Sequence, residues 1–167
     1  MHMIIIVSLL APFSIIGFVY LYRAQKLKKE EQALGAALDR MMKKHKLSIE
    51  LTESFNRRAL GIDRKNRKLV WIDHSNDNKQ EICFSLLGIM TCIIDNKNDD
   101  TNSKIEKVNM IIHHKRSTIP SVLSFFDGAH DRVQEFSNVL KKARQWKNKI
   151  DTYKYPGNIH IEQEFVL

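Results

Sequence analysis

Two cysteines, seven histidines and one pair of adjacent aspartates are the side chains whose types could do chemistry here, and their spacing decides which chemistry is open to them. Cys83 and Cys92 have no C-x-x-C partner, and a nucleophilic thiolate needs a base that the linear order does not supply. Both read as reduced core residues, with no sign of a disulfide framework or a zinc site. His113 and His114 are neighbours on a predicted strand, so they point to opposite faces and cannot share a metal unaided. His74 and His130 fall in or beside predicted loops, with no second ligand at metal-binding spacing. Asp99 and Asp100, set among Asn, Lys and Thr, read as solvated turn residues or at most a weak calcium site. The six glycines are isolated, which argues against a phosphate-cradling loop and hence against nucleotide hydrolysis. No catalytic, cofactor-binding or metal-ligating residue is therefore expected, and no cofactor; an enzyme with an unrecognised site is kept only as an alternative.

What remains is charge and apolar patterning. Arg57, Arg58, Arg64, Lys65, Arg67 and Lys68 form a basic hairpin that could meet anionic headgroups. Each such cation near a surface is worth about 1 kcal/mol, fading over a Debye length of roughly 8 Å. The plainer reading is a solvated turn that discourages edge pairing. Leu27, Leu34 and Met41 recur every seven residues with Ala37 and Leu38 beside them, the pattern of a coiled-coil seam or of a helix lying on another surface. The face Leu27, Leu34, Leu38 and Met41 could thus meet a twin helix, a different protein or the domain itself.

These groups must be positioned by elements, and the first is the chain's opening run. Met3 to Tyr22 carries no charged side chain and is about as long as the 20 residues an α-helix needs to cross hydrocarbon. No basic region precedes it and no small-x-small cleavage site follows, so a retained anchor is expected rather than a signal peptide. Arg23, Lys26, Lys28 and Lys29 come directly after it, placing them at a membrane surface. The positive-inside rule then puts the main domain in the cytoplasm and residue 1 outside, an inner-membrane single-pass arrangement.

Residues 24–46 read as a helix that could carry a domain up to roughly 35 Å from a bilayer. From Leu47 the period changes to two: Leu47, Ile49 and Leu51 alternate with polar residues, and Ala59–Asp63 and Lys68–Asp73 flank a polar turn. Further strands are expected at 82–94, as one bent strand or two around Gly88, at 105–112 and at 122–126. A helix is expected from about Arg132 to Ile150, capped by Asp131, with Val133, Phe136, Leu140, Ala143 and Lys147 on one face and Val139, Trp146 and Ile150 widening it. Beyond Pro156 and Gly157 the alternation returns at Ile159, Ile161, Phe165 and Leu167, enough for an edge strand or a docking segment.

Net charge is +8, and residues 23–68 hold 14 Lys/Arg against 6 Asp/Glu while the remainder is balanced. That placement points to an anionic membrane surface and away from nucleic acid, whose basic face would belong to the folded domain.

Antiparallel strands in series followed by one amphipathic helix bearing Trp146 resemble a pleckstrin-homology-like domain. Ala59-Leu60-Gly61-Ile62-Asp63, Arg67-Lys68-Leu69-Val70-Trp71-Ile72 and the short anchor resemble a group of small uncharacterised single-pass bacterial membrane proteins. The resemblance implies a fold and a topology and carries no catalytic residue across. The expected fold class is α+β: a transmembrane helix (1–22), a helical connector (23–46), an antiparallel β-sandwich or bent sheet closed by a C-terminal amphipathic helix (47–152), and a tail or edge strand (153–167). The expected function is a membrane-anchored interaction module, an accessory or scaffolding subunit, whose partners are lipid through the first helix and another membrane protein or itself through the connector. The alternative is a peripheral anionic-lipid-binding domain.

Overall fold

Alternation with period two, broken by short polar turns, builds an antiparallel meander, and the computed structural model shows two of them. It describes residues 2–76, 79–99 and 104–155, with side chains for 20–76, 79–96 and 107–155. β1 (Leu51–Phe55), β2 (Arg58–Asp63), β3 (Lys68–Asp73) and β4 (Gln80–Ser85) pair in that order in one sheet. A single 3-10 turn, Leu86–Gly88, turns the corner into β5 (Ile89–Asp99), β6 (Lys104–His114) and β7 (Ser121–Asp127), the second sheet. The run around Gly88 is thus two strands. A 3-10 turn (Val133–Glu135) leads into α2 (Phe136–Tyr153). Among the described residues the fold is α+β, with two antiparallel sheets and two α-helices.

The main core lies between the sheets and under α2. Leu60, Ile62, Leu69 and Trp71 from the first sheet meet Val108, Met110, Ile112, Leu123 and Phe125 from the second. Trp71 stacks on Phe125 at 5.3 Å between ring centroids, and Phe125 on Phe55 at 5.4 Å. α2 closes the space with Val139, Ala143, Trp146 and Ile150, a stripe at i, i+4, i+7 and i+11. This differs from the expected face: Val133 is exposed and precedes the helix, and Lys147 is only half-buried. Asp131 does not cap α2, whose N-cap is Glu135 without a side-chain hydrogen bond; the Asp131 carboxylate is engaged elsewhere.

The expected transmembrane helix is corrected here. Among the described residues no helix is long and apolar enough to cross a membrane. Where an anchor and a separate connector were expected, one helix, α1, runs from His2 to His45. From Tyr20 onward it carries Arg23, Lys26, Lys28, Lys29 and Glu30, then Asp39, Arg40 and Lys43. Each such group costs about 2.5–3.5 kcal/mol at a bilayer centre, so this part cannot enter hydrocarbon. The side chains of the apolar run through Val19 lie outside those described.

The described part of α1 belongs to the folded unit. Leu34, Ala37 and Met41 are buried on the outer face of the first sheet against Ala59, Val70 and Ile72, with Leu47 completing the cluster. Ala59 and Gly61 leave room on that face: a Cβ built on Gly61 would lie 2.9 Å from the Ile49 side chain. Leu47 and Ile49, expected at the start of a strand, instead extend this second cluster, and β1 begins at Leu51. With a sandwich core on one side and α1 on the other, every residue of β2 is buried. Burial on both faces replaces the expected alternation in the middle of β3, where Leu69, Val70, Trp71 and Ile72 are consecutive and all buried.

Candidate functional site

The six cations expected to form one hairpin patch are divided between the two ends of β2. At its start, Arg58 is fully buried and pairs with acids from two distant connections. Its guanidinium lies 2.9 Å from Asp131 and 3.4 Å from Asp73, and it donates to Ser75 Oγ at 2.9 Å. It also donates to the backbone carbonyl of Asn56 at 3.2 Å. Arg58 therefore ties the β1–β2 turn, the end of β3 and the β7–α2 connection into one cluster. Arg57 donates to the Ser75 carbonyl and sits 3.6 Å from Glu30 on α1. Fully buried Arg58 leaves the expected anionic-ligand set, whereas the Arg57 side chain remains 39% exposed. A cleft of about 430 Å³ opens beside them, lined by Leu27, Glu30, Phe55, Arg57 and Glu135 among others.

At the far end of β2 the chain gathers cations from segments remote in sequence. The β2–β3 turn presents Arg64, Lys65, Arg67 and Lys68, the first two exposed. Leu86 N donates to the Arg67 carbonyl at 2.8 Å, and Lys115 N to the Gly88 carbonyl at 2.8 Å, so the β4–β5 corner and the β6–β7 loop are fastened beside that turn. The loop adds exposed Lys115 and Arg116. Ser48 N donates to Asp63 Oδ2 at 2.8 Å, which brings the end of α1, with exposed Lys43, Lys44 and Lys46, to the same place. Among the described residues, the Arg64–Glu50 contact at 3.7 Å is the ion pair made by these nine cations. The result is a basic pole, with a cleft of about 640 Å³ lined by Leu87, His114, Lys115 and Arg116 and with Leu87 and Ile119 exposed on its loops. Dividing the charge at residue 68 missed it because Lys115 and Arg116 lie in the balanced remainder.

The heptad seam divides as well. Leu34 and Met41 are buried and Leu38 is half-buried against the chain's own first sheet, whereas Leu27 is 62% exposed. Arg23, Lys26, Lys28 and Lys29 are exposed along α1. Arg40 donates to Glu81 Oε1 at 2.8 Å and so pins α1 to β4.

The second sheet has no such cover among the described residues. Ile93, Ile111 and Val122 are register partners across β5, β6 and β7, while Cys92, Ile112 and Leu123 beside them point into the core. Ile93 is 50% and Val122 46% exposed, and Met90 next along β5 is 52% exposed. The neighbouring row, Asp95, Asn109 and Ser124, is polar. An apolar row with a polar rim on a sheet face is a docking surface by type. Its sequence signal was the doublets Ile93-Ile94 and Ile111-Ile112, apolar on both faces of a strand.

The chemically capable groups are placed as structure. Burial pushes the Cys92 thiol up to about 12 and raises that of half-buried Cys83, leaving neither as a thiolate near neutrality. His114 shares a 2.9 Å hydrogen bond with Ser121 Oγ and meets the Phe84 ring edge-on. His74 lies 3.5 Å from Glu81. Among the described residues no three of His, Cys, Asp and Glu gather as metal ligands. Asp99 ends β5 without a described side chain, and Asp100 lies outside the described residues. Burial works against the charge of Glu53, yet hydrogen bonds from Lys142 and from Trp146 Nε1, the latter at 2.7 Å, hold its carboxyl below the usual range. The Asp63 carboxyl is likewise held low against burial by donors from Asn66 and Ser48.

Comparison with family models, curated proteins and solved structures finds no match to this chain.

Proposed function

We propose that the chain is a protein-interaction module, an accessory or scaffolding subunit that engages a partner through the outer face of β5–β7. The observation that carries this reading is the outward row of exposed Ile93, half-buried Ile111 and exposed Val122, with exposed Met90 beside it. The first sheet supports it by contrast, because its corresponding face is covered by an apolar helix stripe. A partner presenting a similar stripe would bury the row as Leu34, Ala37 and Met41 bury Ala59, Val70 and Ile72. The connector seam is not part of this reading, since Leu34 and Met41 are already occupied. A pleckstrin-homology-like relationship is included in the proposal; four strands, then three, then one amphipathic helix support it.

The test is co-purification of the tagged full chain and of an I93K/V122K variant from the native source. A stoichiometric partner retained by the first and lost by the second is expected, with the emission of Trp71 and Trp146 unchanged. If wild type purifies alone the module reading fails, and if the variant keeps the partner the assigned face is wrong. The anionic-lipid alternative retains Arg57, Arg64, Lys65, Arg67 and Lys68 but not Arg58.

A further inference from the structure

The basic pole and the segment that follows α2 are complementary, and the end of α2 brings them together. Tyr153, the last residue of α2, lies beneath the Arg64 guanidinium at 5.2 Å from the ring centroid, so the chain leaves the helix at this pole. Residues 156–167 lie outside those described; their sequence places Glu162 and Glu164 among Ile159, Ile161, Phe165 and Leu167. The pole offers the opposite charge together with exposed Leu87 and Ile119.

We propose that the basic pole, formed by the β2–β3 turn, the β4–β5 corner and the β6–β7 loop, is the docking surface for the chain's own residues 156–167. Glu162 and Glu164 would meet cations such as Lys65 and Lys115, and the apolar side chains between them would cover Leu87 and Ile119. Reach is no obstacle, because a dozen extended residues span about 40 Å. Tethering supplies an effective concentration of the order of millimolar, so contacts that are individually weak at a surface suffice. The inference is independent of the partner face on the second sheet.

Zero-length carbodiimide cross-linking of the full chain, read by peptide mass spectrometry, tests it. Cross-links from Glu162 or Glu164 to Lys65, Lys115 or the lysines ending α1 are expected in the monomer, reduced at least about fivefold in 0.5 M salt, where surface attraction is screened. The Glu53–Lys142 and Asp151–Lys154 pairs serve as internal controls at both salt concentrations. An E162Q/E164Q variant, which alters no described residue, should raise the acetylation rates of Lys65 and Lys115 about threefold or more. Absence of those cross-links while the controls appear, or unchanged acetylation in the variant, overturns the proposal. Cross-links found only in dimers also overturn it, because they place the segment on a second copy.

Discussion

Replacing Leu34 by Ala, beside Leu27 to Ala as its comparison, separates an intramolecular helix seam from one between chains. The two leucines stand one heptad apart and are equivalent in sequence, but Leu34 is 6% exposed and Leu27 is 62% exposed. Leu34 to Ala removes roughly three buried methylene equivalents at about 0.8 kcal/mol each, and a residual cavity adds to that. A loss of about 2–3 kcal/mol is expected, in the lower part of the range for buried leucines because the helix can settle onto the sheet. Leu27 to Ala should change stability by less than about 0.5 kcal/mol. Urea unfolding reads both, because Trp71 and Trp146 are fully buried in the sandwich core and report its loss. Helicity at 222 nm should fall with the tryptophan signal if the described part of α1 belongs to the same cooperative unit. The reasoning is refuted if Leu34 to Ala leaves the midpoint in place. It is refuted equally if both variants lose stability alike and the loss depends on protein concentration, which would put the seam between two chains.

Arg58 to Ala should cost about 3–5 kcal/mol in the same assay, because Asp73 and Asp131 are left buried without their counter-charge; a loss under 1 kcal/mol would show the cluster to be dispensable. Acid should destabilise the fold through Glu53, Asp63 and Asp151, whose carboxyls all sit below their ordinary values when folded. A depressed folded pKa gives stability that is complete above the unfolded value and lost as pH falls through the folded one. Unfolding free energy should therefore hold from neutrality to about pH 5 and drop below about pH 4, with a shallower drop in D63N; a flat profile to pH 3 refutes the assignment. In the native state at pH 8, iodoacetamide should modify half-buried Cys83 before Cys92, whose thiol burial pushes up to about 12; preferential labelling of Cys92 would mean its pocket opens.

Elements whose signal is local were legible in the sequence, and those set by distant partners were not. Ala59–Asp63 and Lys68–Asp73 were found as two short β-rich segments flanking the polar turn 64–67, and the structure places β2 and β3 within a residue of those bounds. Arg58 looked like its neighbours Arg57 and Arg64, since its burial depends on Asp131, 73 residues away. The α2 stripe was misjudged for a related reason: Val133 and Phe136 fit the period, but only contact with the second sheet selects Val139, Ala143, Trp146 and Ile150. The seven-residue seam is degenerate at a deeper level, because a helix on a helix and a helix on a sheet both ask for one narrow apolar stripe. What decides between them is the receiving surface, and its signature was present in β2 and β3. Ala59 and Gly61, small residues pointing outward between the inward-facing Leu60 and Ile62, leave a shallow trough under Ala37 and Ile49. The same rule applied to β5–β7 finds Ile93, Ile111 and Val122 pointing outward with no small residue among them and no helix over them among the described residues, so a partner meeting that face would pack on a ridge rather than in a trough.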